Sequence, residues 1–202
     1  MAKLQDIIQW CDQTLKSPEF KDYAPNGLQI EGKTEVRKIL AAVTASQDAI
    51  DAAIRENADL LLVHHGYFWK GEAYPITGMR GKRIKSLIQH DISLLAYHLP
   101  LDSHPSLGNN AAIADLLELE RIEALDPSER HPIGNIGYLN QPMPVEEFKK
   151  FVSEKLKFDA IHLPADKSMI EKVGFCTGGA QDFIVKAAEQ GCDAYISGEV
   201  SE

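Results

Sequence analysis

LLLVHHGYFW, residues 60–69, decides the fold. Leu60 to Val63 form a short, unbroken apolar run between Asp59 and the polar pair His64–His65, which reads as a strand buried on both faces. Such a strand belongs inside a sheet covered by helices. Working outward, KILAAVT (38–44) is a second strand, and the helical pattern from Gln47 to Asn57 connects the two. Downstream come a helix near 82–90, the strand SLLAYH (93–98) and a helix from Asn110 to Leu119. Upstream, Leu4, Ile7, Ile8, Cys11 and Leu15 mark an amphipathic helix over 3–15, followed by a strand in GLQIEG (27–32). Strands alternating with helices predict an α/β fold with mostly parallel, mixed sheets.

From Val145 the order begins again. A helix over PVEEFKKFVSEKL, short strands in AIHLP and KVGFCT, a helix over DFIVKAAEQG and a strand in DAYIS are expected. At a constant offset of 134 residues, Asp48 falls on Asp182, Ile50 on Ile184, Ala53 on Ala187 and Asp59 on Asp193. The chain therefore reads as two duplicated α/β lobes, residues 1–128 and 129–202. Gly198 and Glu199 stand where His64 and His65 do, so Glu199 is a candidate near the site. The second lobe looks incomplete at its C-terminus, by about 45 residues if it mirrors the first. Metal affinity of residues 1–202 alone is expected to be weak for that reason.

Composition narrows the partners. The 202 residues are 44% hydrophobic and 25% charged, with a formal charge of −9, so no general electrostatic surface for nucleic acid is supported. No apolar run approaches membrane-spanning length, and the first helix lacks the pattern of a signal peptide. Cys11, Cys176 and Cys192 are too few and scattered for a disulfide framework or a paired-cysteine zinc site, which fits a reducing cytoplasm.

His64 and His65 end their strand, and ligand crevices of open parallel sheets lie beyond the strands' carboxyl ends. Neighbouring side chains on a strand point to opposite faces, so both rings reach one region only if Gly66 supplies a turn. The pair then serves two metal ions, or one ring binds and the other steers; a hydrogen-bonded loop pair is the plainer alternative. A second strand end carries His98, with Asp102 four residues on. Pro100 argues against a helical H-x-x-x-D, placing these residues in a turn. Imidazole and carboxylate donors together suit Zn, Mn, Fe or Ni.

Arg80, Lys82 and Arg83 gather at a helix start, where the dipole disfavours cations. They mark either an anion such as a substrate phosphate or an ordinary solvated face. Tyr67, Phe68 and Trp69 wall a pocket or fill core, and the Pro-Asn-Gly turn in YAPNGLQIEG needs no role beyond geometry. No GxSxG elbow or P-loop competes with a metal site.

YAPNGLQIEG, LLLVHHGYFWKG, YHLPLDSHPSLGNN and CTGGAQ with ISGEVSE together resemble the Nif-three-like dinuclear metal proteins, often labelled GTP cyclohydrolase I type 2 homologues. The resemblance covers essentially the whole chain. It implies two intertwined α/β repeats, a homohexameric toroid and a centre of two divalent metals. It also implies that His64, His65 and Asp102 are metal ligands with His98 beside them. Many members carry Pro after the histidine pair and Thr after the later His, where Gly66 and Leu99 stand here; the family's further H-x-x-x-E ligands have no counterpart in these residues. The expected activity is metal-dependent hydrolysis of a nucleotide-like or other small phosphorylated substrate. The alternative is a metal-binding scaffold or regulator that engages a protein or nucleic acid.

Overall fold

The computed structural model describes residues 1–200, which pack as two compact units meeting in sequence at Leu101 and Asp102. The first unit runs β1 (Ala2–Lys3), α1 (Leu4–Leu15), β2 (Gly27–Ile30), β3 (Glu35–Val36), β4 (Ile39–Thr44), α2 (Gln47–Arg55), β5 (Leu60–His65), α3 (Gly78–Gln89) and β6 (Ser93–Ala96). Its four-stranded sheet has the order β2-β6-β5-β4, with β4, β5 and β6 parallel and β2 antiparallel to β6.

Alternation along the central strand separates two cores. Leu61 and Val63 pack with Ile50 and Ala53 of α2 and with Ile84 and Leu87 of α3. Leu60 packs on the opposite side with Leu4 and Cys11 of α1, Leu95 and Tyr97. The apolar run is thus continuous because helices cover both faces. Ser46 starts α2 by accepting a hydrogen bond from the Ala49 N–H at 3.2 Å.

After the one-turn helix α4 (Leu99–Asp102), the second unit contains α5 (Asn109–Leu116), β7 (Glu120–Ala124), β8 (Asn135–Pro144), α6 (Val145–Leu156), β9 (Met169–Cys176), α7 (Ile184–Glu189) and β10 (Ala194–Ser197). Its sheet order is β10-β9-β8-β7, and only the β10–β9 pair is parallel. The α/β class with mixed sheets is as expected, but antiparallel pairing takes a larger share than the alternation of elements suggested. The strands responsible, β7 and β8, went unread: charged residues dominate β7, and two prolines interrupt the end of β8. The repeat boundary read near residue 128 also differs from the packing boundary, because α5 and β7 belong to the second unit.

The offset of 134 residues reappears in contacts within each unit. Asp59 Oδ1 accepts from Lys33 Nζ at 2.8 Å, and its Oδ2 accepts from the N–H groups of Arg37 at 2.9 Å and Lys38 at 3.2 Å. Asp193 does the same with Lys167 Nζ at 2.8 Å, Glu171 at 3.2 Å and Lys172 at 3.0 Å. The parallel pairings Ile39↔Leu60 and Val173↔Ala194 also match at that offset. AIHLP breaks the correspondence: Ile161 and Leu163 are exposed and unpaired in a sheet, whereas β2 in the first unit lies against β6. Asp59→Ala is expected to destabilise the first unit by about 1–3 kcal/mol, since it orphans two backbone donors. Asp193→Ala should cost less because that carboxylate is better hydrated. Denaturant unfolding of both variants, followed unit by unit, measures the difference.

Candidate metal centre

Strand pairing brings the histidines together. Val63 pairs with Ala96, so the chain leaves both strands side by side, and the Tyr97 N–H donates to the Val63 carbonyl at 3.0 Å. One residue further on each strand stand His64 and the turn into His98. One ligand atom from each of His64, His65 and His98 lies within 4.8 Å of the others. Ring centroids are 4.4 Å apart for His64–His65, 5.1 Å for His64–His98 and 5.6 Å for His65–His98. All three rings are half-buried.

Acceptors orient the imidazoles of His64 and His98. His64 Nδ1 lies 2.9 Å from the Tyr97 carbonyl oxygen. A carbonyl only accepts, so Nδ1 carries the proton and Nε2 the lone pair. His98 Nδ1 lies 2.7 Å from Asp22 Oδ1. Burial alone would raise the Asp22 carboxyl, but hydrogen bonds from His98, Asn26 and the Leu99 N–H prevail and hold it at about 2. The Asn26 side chain also accepts from the His98 N–H at 2.7 Å. Asp22 and Asn26 escaped the sequence reading, in which the Pro-Asn-Gly segment had only a turn to make.

Gly66 is required by space rather than by backbone freedom. Its backbone is not left-handed, but a Cβ there would lie 2.2 Å from Gln29 Oε1 and 2.8 Å from the Ala96 Cβ. Gln29 approaches because its Oε1 accepts from the Tyr67 N–H at 2.7 Å. Tyr67 is core: its hydroxyl donates to the Ala45 carbonyl at 2.7 Å, and burial pushes the phenol up to about 12 despite the nearby Arg83. Trp69 lies edge-on to His98 at 4.9 Å and to His65 at 5.7 Å, with Nε1 donating to the Gly66 carbonyl at 3.2 Å.

With three imidazoles converging at a strand edge, the comparisons with known proteins become informative. The profile of Duf34/NIF3 (NGG1p interacting factor 3) matches residues 2–202. The chain belongs to the Duf34/NIF3 family. A Haemophilus influenzae relative named GTP cyclohydrolase 1 type 2 homolog is 51% identical over 199 residues, covering 98% of this chain and 78% of its own. A Vibrio cholerae relative of the same name is 50% identical, covering 95% and 76%. The solved structure of protein ybgI, of unknown function, shares 43% identity with a TM-score of 0.93 over 100% of this chain and 80% of its own. The resemblance drawn from those sequence segments is thereby borne out, and so is the α/β class.

In this member of the family the remaining candidates lie as follows. Asp102 begins the second unit, is buried, and accepts from Asn109 Nδ2 at 2.7 Å and Thr177 Oγ1 at 3.4 Å. The expectation of a plain turn at His98–Asp102 is corrected, since Leu99–Asp102 is one helical turn and Pro100 sits in a first turn, where no N–H is needed. Burial, with Asp102 adding to it, pushes the Cys176 thiol up to about 11, which leaves it unreactive. Glu199 is exposed, with its N–H 3.4 Å from Ser197 Oγ. Arg80 is committed to its own loop, donating to Glu72 Oε2 at 2.7 Å and to the carbonyls of Ala73 and Pro75. Lys82 is exposed, and Arg83 is half-buried with Nε lacking a hydrogen bond among the described residues.

Proposed function

We propose that His64, His65, His98 and Asp102 hold a centre of two divalent metals, and that the protein hydrolyses a nucleotide-like or other small phosphorylated substrate. The carrying observation is the convergence of three imidazole donors within 4.8 Å, with His64 and His98 turned by acceptors so that Nε2 keeps its lone pair. Neutral imidazoles with a carboxylate match the donor preferences of Zn, Mn, Fe or Ni. Asp102 enters from its position four residues beyond His98 and from the resemblance. Bound metal would supply an activated water and polarise a phosphoryl oxygen. The chain's own part is to orient the rings through Tyr97 and Asp22 and to wall one side with the Trp69 indole, which limits water around His65 and His98.

GTP is the first substrate to try, given the relatives' names. The test is turnover of a panel of nucleotides and phosphoesters by metal-loaded protein, with chelator and His65→Ala controls. Metal-dependent turnover lost in His65→Ala supports hydrolysis; metal binding without turnover of any of them favours the scaffold reading. The same reading takes the protein as a cytoplasmic homohexamer. Tyr74, Ile76 and Met79 on one exposed segment are apolar surface suited to self-association. Light scattering should return six subunit masses, and a monomer's mass would overturn the hexamer. Among the described residues no helix is long and apolar enough to cross a membrane.

A further inference from the structure

We infer that Asp22 is a positioning residue for the metal centre: its carboxylate fixes the tautomer and rotation of His98 so that Nε2, not an N–H, is offered to metal. The inference rests on the metal reading above. The Asp22 side chain is only 3% exposed, and its two oxygens have separate tasks. Oδ1 takes His98 Nδ1 at 2.7 Å and the adjacent Tyr23 N–H at 2.6 Å, while Oδ2 takes the Leu99 N–H at 2.9 Å and Asn26 Nδ2 at 2.9 Å. Asn26 closes the circuit by accepting the His98 N–H at 2.7 Å. The imidazole is therefore gripped at its ring and at its own backbone by one short segment, Asp22 to Asn26.

An ionised carboxylate has no proton to give, so His98 Nδ1 must be the donor, and the lone pair of the neutral ring falls on Nε2. His64 receives the same instruction from the Tyr97 carbonyl, a neutral dipole. His98 receives it from a full charge, the stronger of the two partners. Carboxylate–histidine pairs of this kind commonly support metal ligands, and their loss weakens metal affinity about 10–100-fold.

A competing role exists, because the bonds to Leu99 and Asn26 would also serve a simple loop staple. The test must separate the two. Asp22→Asn keeps the shape, but its amide cannot accept from both His98 Nδ1 and the Leu99 N–H through separate oxygens. Binding is read with Co²⁺ as quenching of Trp69 emission in a Trp10→Phe background, Trp10 being exposed. Asp22→Asn is expected to weaken Co²⁺ binding about 10–100-fold, and to add nothing in a His98→Ala background. Nitrogen NMR of the metal-free wild type should show His98 protonated at Nδ1. Unchanged affinity, or a loss that persists in full on top of His98→Ala, overturns the positioning role. Should Asp22→Asn fail to fold, the wild-type tautomer still decides, and His98 protonated at Nε2 overturns the proposal. Absence of Co²⁺ binding in the wild type sinks the metal reading, and this proposal with it. Binding by the wild type that Asp22→Asn leaves intact sinks this proposal alone.

Discussion

His64→Ala is expected to weaken Co²⁺ binding by at least roughly 100-fold, more than loss of an outer partner would, because it removes a donor atom itself. The ring of His64 lies nearer to each of the other two histidines than they lie to one another, so its loss opens the centre of the cluster. The fold should survive. Removing the imidazole deprives the Tyr97 carbonyl of one hydrogen bond, a cost of about 1 kcal/mol at a half-buried position. His90→Ala is the matched control, since that ring is exposed and its Nδ1 meets the Ser86 carbonyl of the adjoining helix. Titration of both variants, with circular dichroism to verify folding, decides the matter. A His64→Ala protein that binds Co²⁺ as the wild type does would remove His64 from the centre.

How much of this site was legible depends on where each contribution lies along the chain. His64 and His65 announced themselves because an apolar run rarely ends in two adjacent imidazoles at a position where parallel strands open a crevice. His98 was legible by the same logic at the next strand. Asp22 was not, because it meets His98 across 76 residues, and nothing in a loop aspartate signals a distant imidazole. Asn26 was hidden by a simpler expectation, a turn ahead of the strand; Pro25 and Asn26 form no regular turn, and the Asn26 side chain accepts from the His98 N–H instead. The repeat showed the opposite pattern. Asp59 and Asp193 surfaced as an identity, while the lysines and backbone donors that make them equivalent emerged only as contacts. Strands β7 and β8 stayed unread because their residues lack a clean period of two, and their pairing partners, rather than local propensity, make them strands.

Gly66→Ala is expected to cost about 2–4 kcal/mol in unfolding free energy. The added Cβ would meet Gln29 Oε1 at 2.2 Å and the Ala96 Cβ at 2.8 Å. Gln29 can swing aside, but only by releasing the buried Tyr67 N–H that it now accepts at 2.7 Å. Ala96 belongs to β6 and cannot withdraw without moving the strand that pairs with Val63. A second substitution separates these contributions. Gln29→Ala in the Gly66→Ala background relieves the first clash and leaves the second, so the double variant should remain well below the wild type in stability. Gly71→Ala provides the contrast: Gly71 has φ +91° with nothing within 4 Å of a Cβ, so its cost is conformational alone, about 1–2 kcal/mol. Because Gly66 directly follows His65 and its carbonyl receives Trp69 Nε1, Gly66→Ala should also displace the ring and the indole together. Trp69 emission should then shift before any metal is added, whereas Gly71→Ala leaves it unchanged. Equal stability losses in the two variants, with wild-type emission in both, would show that close packing at Gly66 does not position the histidine pair.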